Sequence, residues 1–163
     1  MAEKPTPEET TLWQRRLASQ ANNRAWTLAE ALSRTPEQDE DMLQAALAAM
    51  YFWKIAGNEK NRAHAAQLVA HVYALLSLPD PAAHYLAKSE PVLLSSSAEV
   101  WERAFAHAVA ANVASAQKNT EAHRLHYHQA FELMSQLTDP ESRKVLEATL
   151  RVLPKPGGDP SAA

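Results

Sequence analysis

The sequence predicts an all-α protein, and three observations support this fold class. The chain of 163 residues contains only three glycines, and Gly57 is the one that lies outside the C-terminal tail. Sheet proteins usually carry more turn glycines and more β-branched runs than this chain contains. Its abundant residues are Ala, Leu, Glu and Gln, which form helices readily. Proline and capping residues recur along the chain at positions that suit helix starts.

These capping signals divide the chain into about seven helices. Residues 35–38, Thr-Pro-Glu-Gln, are typical of an N-cap with a capping box. Gly57 followed by an asparagine indicates a helix end. Asp80 and Asp139 each precede a proline, and each is predicted to be an N-cap residue. The predicted helices span residues 7–34, 36–56, 59–78, 81–93, 97–117, 120–137 and 140–152.

Short loops between these helices favour antiparallel hairpins, because a few residues can only join neighbouring helix ends. We therefore expect one helical-repeat domain over residues 7–153. A flexible N-terminus is expected at residues 1–6, and a disordered tail at residues 154–163.

The second predicted helix is unusually apolar. Residues 42–56 contain a single charge, Lys54, and the aromatic cluster Tyr51-Phe52-Trp53 points to several faces of the helix. A helix that is apolar all round is either buried by neighbours or part of an interface. Burial within the monomer and a surface for a dimer or another partner are both open interpretations.

Two internal spacings suggest repetition, which must be considered before the fold is assigned. Ala63-His64 recurs as Ala122-His123, and Leu78 and Asp80-Pro81 recur with the same spacing as Leu137 and Asp139-Pro140. We call this pattern the Ala-His echo, and we expect the two helices that open with Ala-His to present similar faces. A second, shorter spacing relates the hairpin at Arg62 to the hairpin at Arg103.

Composition excludes several classes of protein. Sixteen Lys and Arg residues are scattered among nineteen Asp and Glu residues, so no basic surface for nucleic acid is expected. Cysteine is absent, which excludes disulfides, thiol nucleophiles and cysteine-ligated metals. The polar N-terminus does not resemble a signal peptide, and no stretch is apolar enough to span a membrane. A cytoplasmic protein without a cofactor is expected.

The segment from Trp101 to Asp139 resembles a tetratricopeptide-type repeat. It has an aromatic residue early in its first helix, small residues such as Ala104 and Ala108 along that helix, and Tyr127 in the second helix. A second pattern, Trp53…Gly57…Asn61-Arg62-Ala63 followed by an apolar helix and then Leu78-Pro79, resembles an uncharacterised group of bacterial helical-repeat proteins. The resemblance implies a right-handed helical array with a concave face that binds a peptide or a helix.

Aromatic, histidine and arginine side chains expected along this face are the candidate binding residues. His64, Gln67 and His71 share one face of the third helix because of their spacing. The eight candidate binding residues are Tyr51, Trp53, Arg62, His64, Gln67, His71, His107 and His123. For Arg62, an ion pair with Glu102 or with an acid at positions 37–41 is the competing interpretation.

The sequence therefore favours a non-enzymatic scaffold that binds a protein or peptide. No nucleophile–base pair, Gly-x-Ser-x-Gly motif or phosphate loop is present, so no catalytic residues are predicted. One alternative is a small-ligand or metal-responsive bundle in which His64 and His123 face each other across a groove. The other alternative is a structural homodimer formed through Tyr51-Phe52-Trp53 or the first helix.

Overall fold

The computed structural model describes residues 4–157, and this part of the chain forms seven α-helices and no strand. The predicted all-α class and helix number are therefore confirmed. Parts of the expected flexible terminus and disordered tail, residues 1–3 and 158–163, lie outside the described residues. The helices are α1 (Pro7–Ala29), α2 (Pro36–Ala56), α3 (Glu59–Leu75), α4 (Pro79–Leu93), α5 (Val100–Ala116), α6 (Thr120–Ser135) and α7 (Pro140–Arg151).

The helices pack as three successive hairpins followed by α7. The closest pairs are α1 with α2, α3 with α4, and α5 with α6. In addition, α1, α3, α5 and α7 contact one another in succession, and we call these four helices the first layer. The second layer consists of α2, α4 and α6, of which α2 also packs on α3 and α4 also packs on α5. Alternate helices of the chain therefore share a layer.

Helix starts follow the capping chemistry at two of the three sites predicted. The side chains and backbone amides of Thr35 and Gln38 bond each other reciprocally, at 3.3 and 2.9 Å, which forms the predicted capping box. Asp139 accepts a hydrogen bond from the backbone N–H of Ser142 at 2.9 Å. The prediction for Asp80 is wrong, because Pro79 already occupies the first helical turn. The Asp80 carboxylate lies inside that turn, where it still complements the helix dipole.

Several helix boundaries also differ from the prediction, and α3 and α6 end at Leu75 and Ser135 rather than at residues 78 and 137. Helix α1 ends at Ala29, and the chain then loops back, with the Arg34 guanidinium donating to the carbonyls of Leu28 and Ala31 at 3.4 Å. Helix α5 begins at Val100 rather than at residue 97, and the preceding serines belong to the loop. At the end of α1 the difference arises from the bonds of the Arg34 side chain to backbone carbonyls, which helix propensity does not describe.

Gly57 allows α2 to end directly against the start of α3. Its backbone angles are φ −100° and ψ 170°, so its role is close approach and not a left-handed turn. An added Cβ atom would lie 2.6 Å from the Trp53 carbonyl oxygen and 2.8 Å from the Asn61 Cβ atom. Any side chain at this position would therefore push the two helices apart.

The shorter of the two sequence spacings matches the architecture, whereas the Ala-His echo does not relate equivalent helices. The interval from the start of α3 to the start of α5 equals the interval from the start of α4 to the start of α6. Ala63-His64 lies in the first layer, in α3, but Ala122-His123 lies in the second layer, in α6. The expectation that these two helices present similar faces is wrong, because they occupy different layers of the array.

We predict that Gly57→Ala lowers the free energy of unfolding by about 1–3 kcal/mol, the usual range for forcing a methyl group into a packed site. Denaturant unfolding followed by circular dichroism measures this change. An unchanged unfolding midpoint would contradict the close approach described for α2 and α3.

A groove across the first layer

A groove of about 520 Å³ crosses the first layer of helices. All four first-layer helices contribute to its walls. Its aromatic lining consists of Trp26, Trp101 and Phe105, and its neutral polar lining includes Asn22, Asn23, His64 and Gln67. Glu30 and Glu141 also line it, together with Ser142 and Val145. Ligand sites in proteins commonly combine such apolar walls with a few polar groups.

The aromatic side chains form a connected wall from α1 to α5. The Phe105 ring packs edge to face with Trp26 at 6.2 Å and with Trp101 at 6.4 Å, measured between centroids. His64 of α3 stacks on Trp101 at 5.4 Å with an interplanar angle of 5°. The Trp101 indole N–H donates to the Glu99 carboxylate at 2.8 Å, which further restricts this ring. The wall therefore has defined geometry before any ligand binds.

The buried carboxylate of Glu102 fixes His64 in this wall. It accepts hydrogen bonds from Lys60 Nζ at 2.9 Å, from His64 Nε2 at 3.0 Å and from the Glu99 backbone N–H at 2.9 Å. Burial raises the pKa of Glu102, but the hydrogen bonds from Glu99, Lys60 and His64 outweigh this effect and lower the pKa below its usual value. The group is therefore a carboxylate at neutral pH and holds α3 against α5.

Gln67 contributes a buried amide to the groove. Only 2% of the residue is exposed, and its Oε1 atom has no hydrogen-bond partner among the described residues. Buried amide oxygens are normally paired, because an unpaired one loses the hydrogen bonds that water would have made. Gln67 also belongs to the groove lining, so its amide is the buried polar group at the floor of the groove.

His71 lies beneath the groove and supports it. The side chain is fully buried and stacks on Trp26 at 5.4 Å, and its Nδ1 atom accepts a hydrogen bond from the Asn112 amide at 3.0 Å. Burial, with a smaller contribution from the charge of Arg34, lowers its pKa to about 3. His71 is thus a neutral side chain that positions Trp26 and links α1, α3 and α5.

The remaining predicted histidines lie away from the groove. His107 shares a hydrogen bond with His126 of α6, and their Nδ1 atoms are 2.9 Å apart. His123 donates from Nε2 to the Pro154 carbonyl oxygen at 2.9 Å. It lines a separate cavity of about 1250 Å³ whose wall includes residues 154–157. The metal-responsive alternative expected His123 to face His64 across a groove, and the structure places the two residues in separate cavities.

The other three predicted residues also lie outside the groove lining. Tyr51 and Trp53 belong to α2 in the second layer, and 59% of Tyr51 is exposed. Arg62 donates from its guanidinium to the Gly57 carbonyl oxygen at 3.0 Å. The competing ion pair with Glu102 is made by Lys60 instead. Of the eight predicted residues, the groove lining contains His64 and Gln67.

Sequence reasoning missed the contributions of α1 and α7. The groove is lined by Asn22, Asn23 and Trp26 of α1, by Glu30 directly after α1, and by Glu141 of α7. These contributions could have been predicted from the alternation of layers, since every second helix of a hairpin array faces the same side. The Ala-His echo led instead to α6.

Comparisons with protein-family models, curated proteins and solved structures found no match for the chain. Within residues 4–157 no three His, Cys, Asp or Glu side chains come together in a way that could hold a metal ion. No helix in the same range is both long and apolar enough to cross a membrane. The fold and site define an all-helical array with a preformed groove.

We predict that stability falls in acid partly through the His107–His126 pair. Burial, followed by the charges of His126 and Arg103, lowers the pKa of His107 from 6.5 to about 4, and burial also lowers the pKa of His126. Between these pH values the unfolded chain binds protons that the folded protein excludes, so stability is full above pH 6.5 and decreases as the pH falls towards 4. After allowance for solvent screening of this half-buried pair, His107 contributes about 1–2 kcal/mol of that decrease.

Unfolding midpoints measured across the range from neutral pH to mild acid test this prediction. His107→Gln should flatten the pH dependence, whereas His84→Gln, outside the pair, should leave it unchanged. Some dependence should persist in both variants because of buried His71. Parallel curves for His107→Gln and the unmodified protein would contradict the role of the pair.

Proposed function

We propose that the protein is a non-enzymatic scaffold that binds a segment of another polypeptide in the groove across α1, α3, α5 and α7. The observation that carries this proposal is the combination of a fixed aromatic wall with the buried, unpartnered amide oxygen of Gln67. Aromatic anchors in well-packed pockets supply most of the energy in protein recognition.

The neutral polar lining supports a polypeptide as the ligand. Asn22, Asn23 and Gln67 carry side-chain amides, each with donor and acceptor groups. A peptide backbone presents the same two kinds of group at every residue, so side-chain amides can pair with it regardless of sequence. The groove volume of about 520 Å³ suits a few side chains of a bound segment rather than a whole domain.

The arrangement of helices supports the same proposal. Hairpin arrays present extended surfaces along one layer, and such surfaces bind peptides and helices. We propose that the chain is a helical-repeat protein of the tetratricopeptide-like kind, because its second and third hairpins, α3–α4 and α5–α6, are related by the same interval between helix starts. Because no Lys or Arg belongs to the groove lining, nucleic acid is not the proposed ligand. The absence of cysteine is compatible with a cytoplasmic location.

We predict that Val145→Trp abolishes segment binding by filling the groove. Val145 lines the groove and is 45% exposed, so a larger side chain there occupies the groove without entering the core. The matched control is Leu125→Trp, at a position that is 54% exposed on α6 and outside the groove lining. Peptides selected from a random displayed library on the unmodified protein should bind Val145→Trp at least about tenfold more weakly, a loss of about 1.4 kcal/mol.

Leu125→Trp should bind the same peptides within about twofold of the unmodified protein. Fluorescence anisotropy measures these affinities, and thermal melting shows that both variants fold. Failure to select any peptide, or equal binding by both variants, would refute the proposal.

A second candidate function is self-association through the first hairpin. Large apolar side chains lie exposed at one end of this hairpin: Leu12, Trp13 and Leu17 on α1, with Tyr51 and Ile55 on α2. Arg15 donates to the Ala56 carbonyl oxygen at 2.9 Å, which aligns these parts of the two helices. Within the described chain this hairpin packs against a neighbouring hairpin on one side only. A second copy of the chain is the occupant proposed for the exposed face.

We predict that light scattering of the unmodified protein gives twice the monomer mass of 18.0 kDa at tens of micromolar. Trp13→Ser combined with Ile55→Ser should restore the monomer mass, because it removes apolar area from the face. Leu125→Ser and Phe131→Ser on α6 provide a control of similar exposure. A strict monomer for the unmodified protein would exclude self-association.

A further inference from the structure

The rim of the groove is acidic. Glu30 at the end of α1 and Glu141 in the first turn of α7 both line the groove, and no basic residue belongs to its lining. The positive charge of Arg151 lies near Glu30 and opposes the rise in pKa that burial causes in its carboxyl group. The exposed Arg151 side chain donates a hydrogen bond to the backbone carbonyl oxygen of Glu30, at 3.5 Å. Within residues 4–157 no hydrogen bond reaches the carboxylate of Glu30 or that of Glu141. The rim therefore carries two carboxylates that accept no hydrogen bond from the described residues.

Glu30 is also partly withdrawn from water. Burial raises the pKa of its carboxyl group, and Arg151 opposes this shift. A second cation at this point would stabilise the charged carboxylate further, because attraction between opposite charges strengthens as water is excluded.

The floor beside the rim suits the rest of a long basic side chain. Trp26 of α1 and Phe105 of α5 meet edge to face and line the same groove as the two acidic residues. Lysine and arginine place their methylene stems on apolar surface and keep the charged head at a polar edge. Aromatic faces add a favourable interaction with the cation itself.

The hydrogen-bond acceptors of the groove also favour a basic side chain. No donor pairs with Gln67 Oε1 among the described residues, and the ionised carboxylates of Glu30 and Glu141 accept hydrogen bonds but donate none. Lysine and arginine side chains are donors only, with three and five N–H groups respectively. A ligand carboxylate or phosphate would instead meet two like charges and the unpaired Gln67 oxygen. The groove thus complements a cationic donor and opposes an anion.

We propose that the bound segment is anchored by a lysine or arginine side chain whose stem packs on Trp26 and Phe105 and whose charged head pairs with Glu30 and Glu141. This inference rests on the proposed function, since it specifies the chemistry of the segment in the same groove. The partner is accordingly a polypeptide with a basic residue flanked by neutral ones.

Indole N–H signals of the full-length, ¹⁵N-labelled protein report directly on this anchor. Trp26 and Trp101 line the groove, whereas Trp13 and Trp53 lie outside its lining and act as internal controls. The probes are three capped pentapeptides, Ala-Ala-Arg-Ala-Ala and its counterparts with Lys or Glu at the centre. Single Trp→Phe variants assign the four signals.

The arginine and lysine peptides are expected to shift the Trp26 and Trp101 signals and to leave those of Trp13 and Trp53 in place. The glutamate peptide should bind at least about tenfold more weakly. Raising the salt concentration should weaken the basic peptides, because the pairing is partly exposed and screened. Glu30→Gln combined with Glu141→Gln should remove the preference for the basic peptides. Glu132→Gln combined with Glu147→Gln, on α6 and α7 and outside the groove lining, should preserve it.

Equal shifts from all three peptides, or no shift of Trp26 and Trp101 from the basic ones, would overturn the basic anchor. The peptides selected with the displayed library decide separately whether the groove binds a segment at all. Groove-dependent library peptides without lysine or arginine would therefore remove the inference and keep the proposed function. If the basic peptides shift neither tryptophan signal and the library yields no groove-dependent peptide, the basic anchor and the proposed function are both refuted.

Discussion

The contact on which the groove depends is the buried carboxylate of Glu102. A charge withdrawn from water is stable only when its hydrogen bonds are supplied by the protein, and here Lys60 and His64 supply them from the neighbouring helix. Sliding α3 along α5 by one turn would leave this charge with only one of its two partners, because Lys60 and His64 are themselves one turn apart on α3. The pair therefore fixes the register of the two helices, and with it the stack of His64 on Trp101 that forms one wall.

A second buried polar contact repeats this arrangement deeper in the first layer. Asn112 of α5 donates to the ring and to the backbone carbonyl of His71 in α3, at 3.0 and 3.3 Å, and His71 in turn stacks on Trp26 of α1. Polar contacts in a core specify alignment more than they add stability, because an alternative alignment leaves them unpaired. The alanine-rich faces of α3 and α5 permit close packing, and these two contacts determine which alanines meet.

The local parts of the fold could be predicted from the sequence, and the groove could not. Thr35 with Gln38 and Asp139 with Ser142 interact within one helical turn, so their capping bonds are visible as short motifs. Asp80 was misassigned because two prolines compete for the same helix start, and Pro79 prevails. The groove depends on contacts among three hairpins and α7, which are far apart in the sequence. His64 and Gln67 could be predicted because they share one face of α3, which is a local property, and both line the groove. His123 was predicted from the Ala-His echo, and it does not line the groove.

The same contacts fix the aromatic wall of the groove. Each tryptophan of the wall is fixed by its neighbours: Trp26 stacks on His71, and Trp101 stacks on His64 and donates a hydrogen bond to Glu99. Ordering flexible side chains on binding costs about 0.5–1.5 kcal/mol for each one, and here that ordering has occurred on folding. The alanine-rich core makes this possible, since small residues bring the helices close enough for aromatic rings of different helices to touch. Under the proposed function, binding energy is then available for the polar groups at the rim, which would distinguish one segment from another.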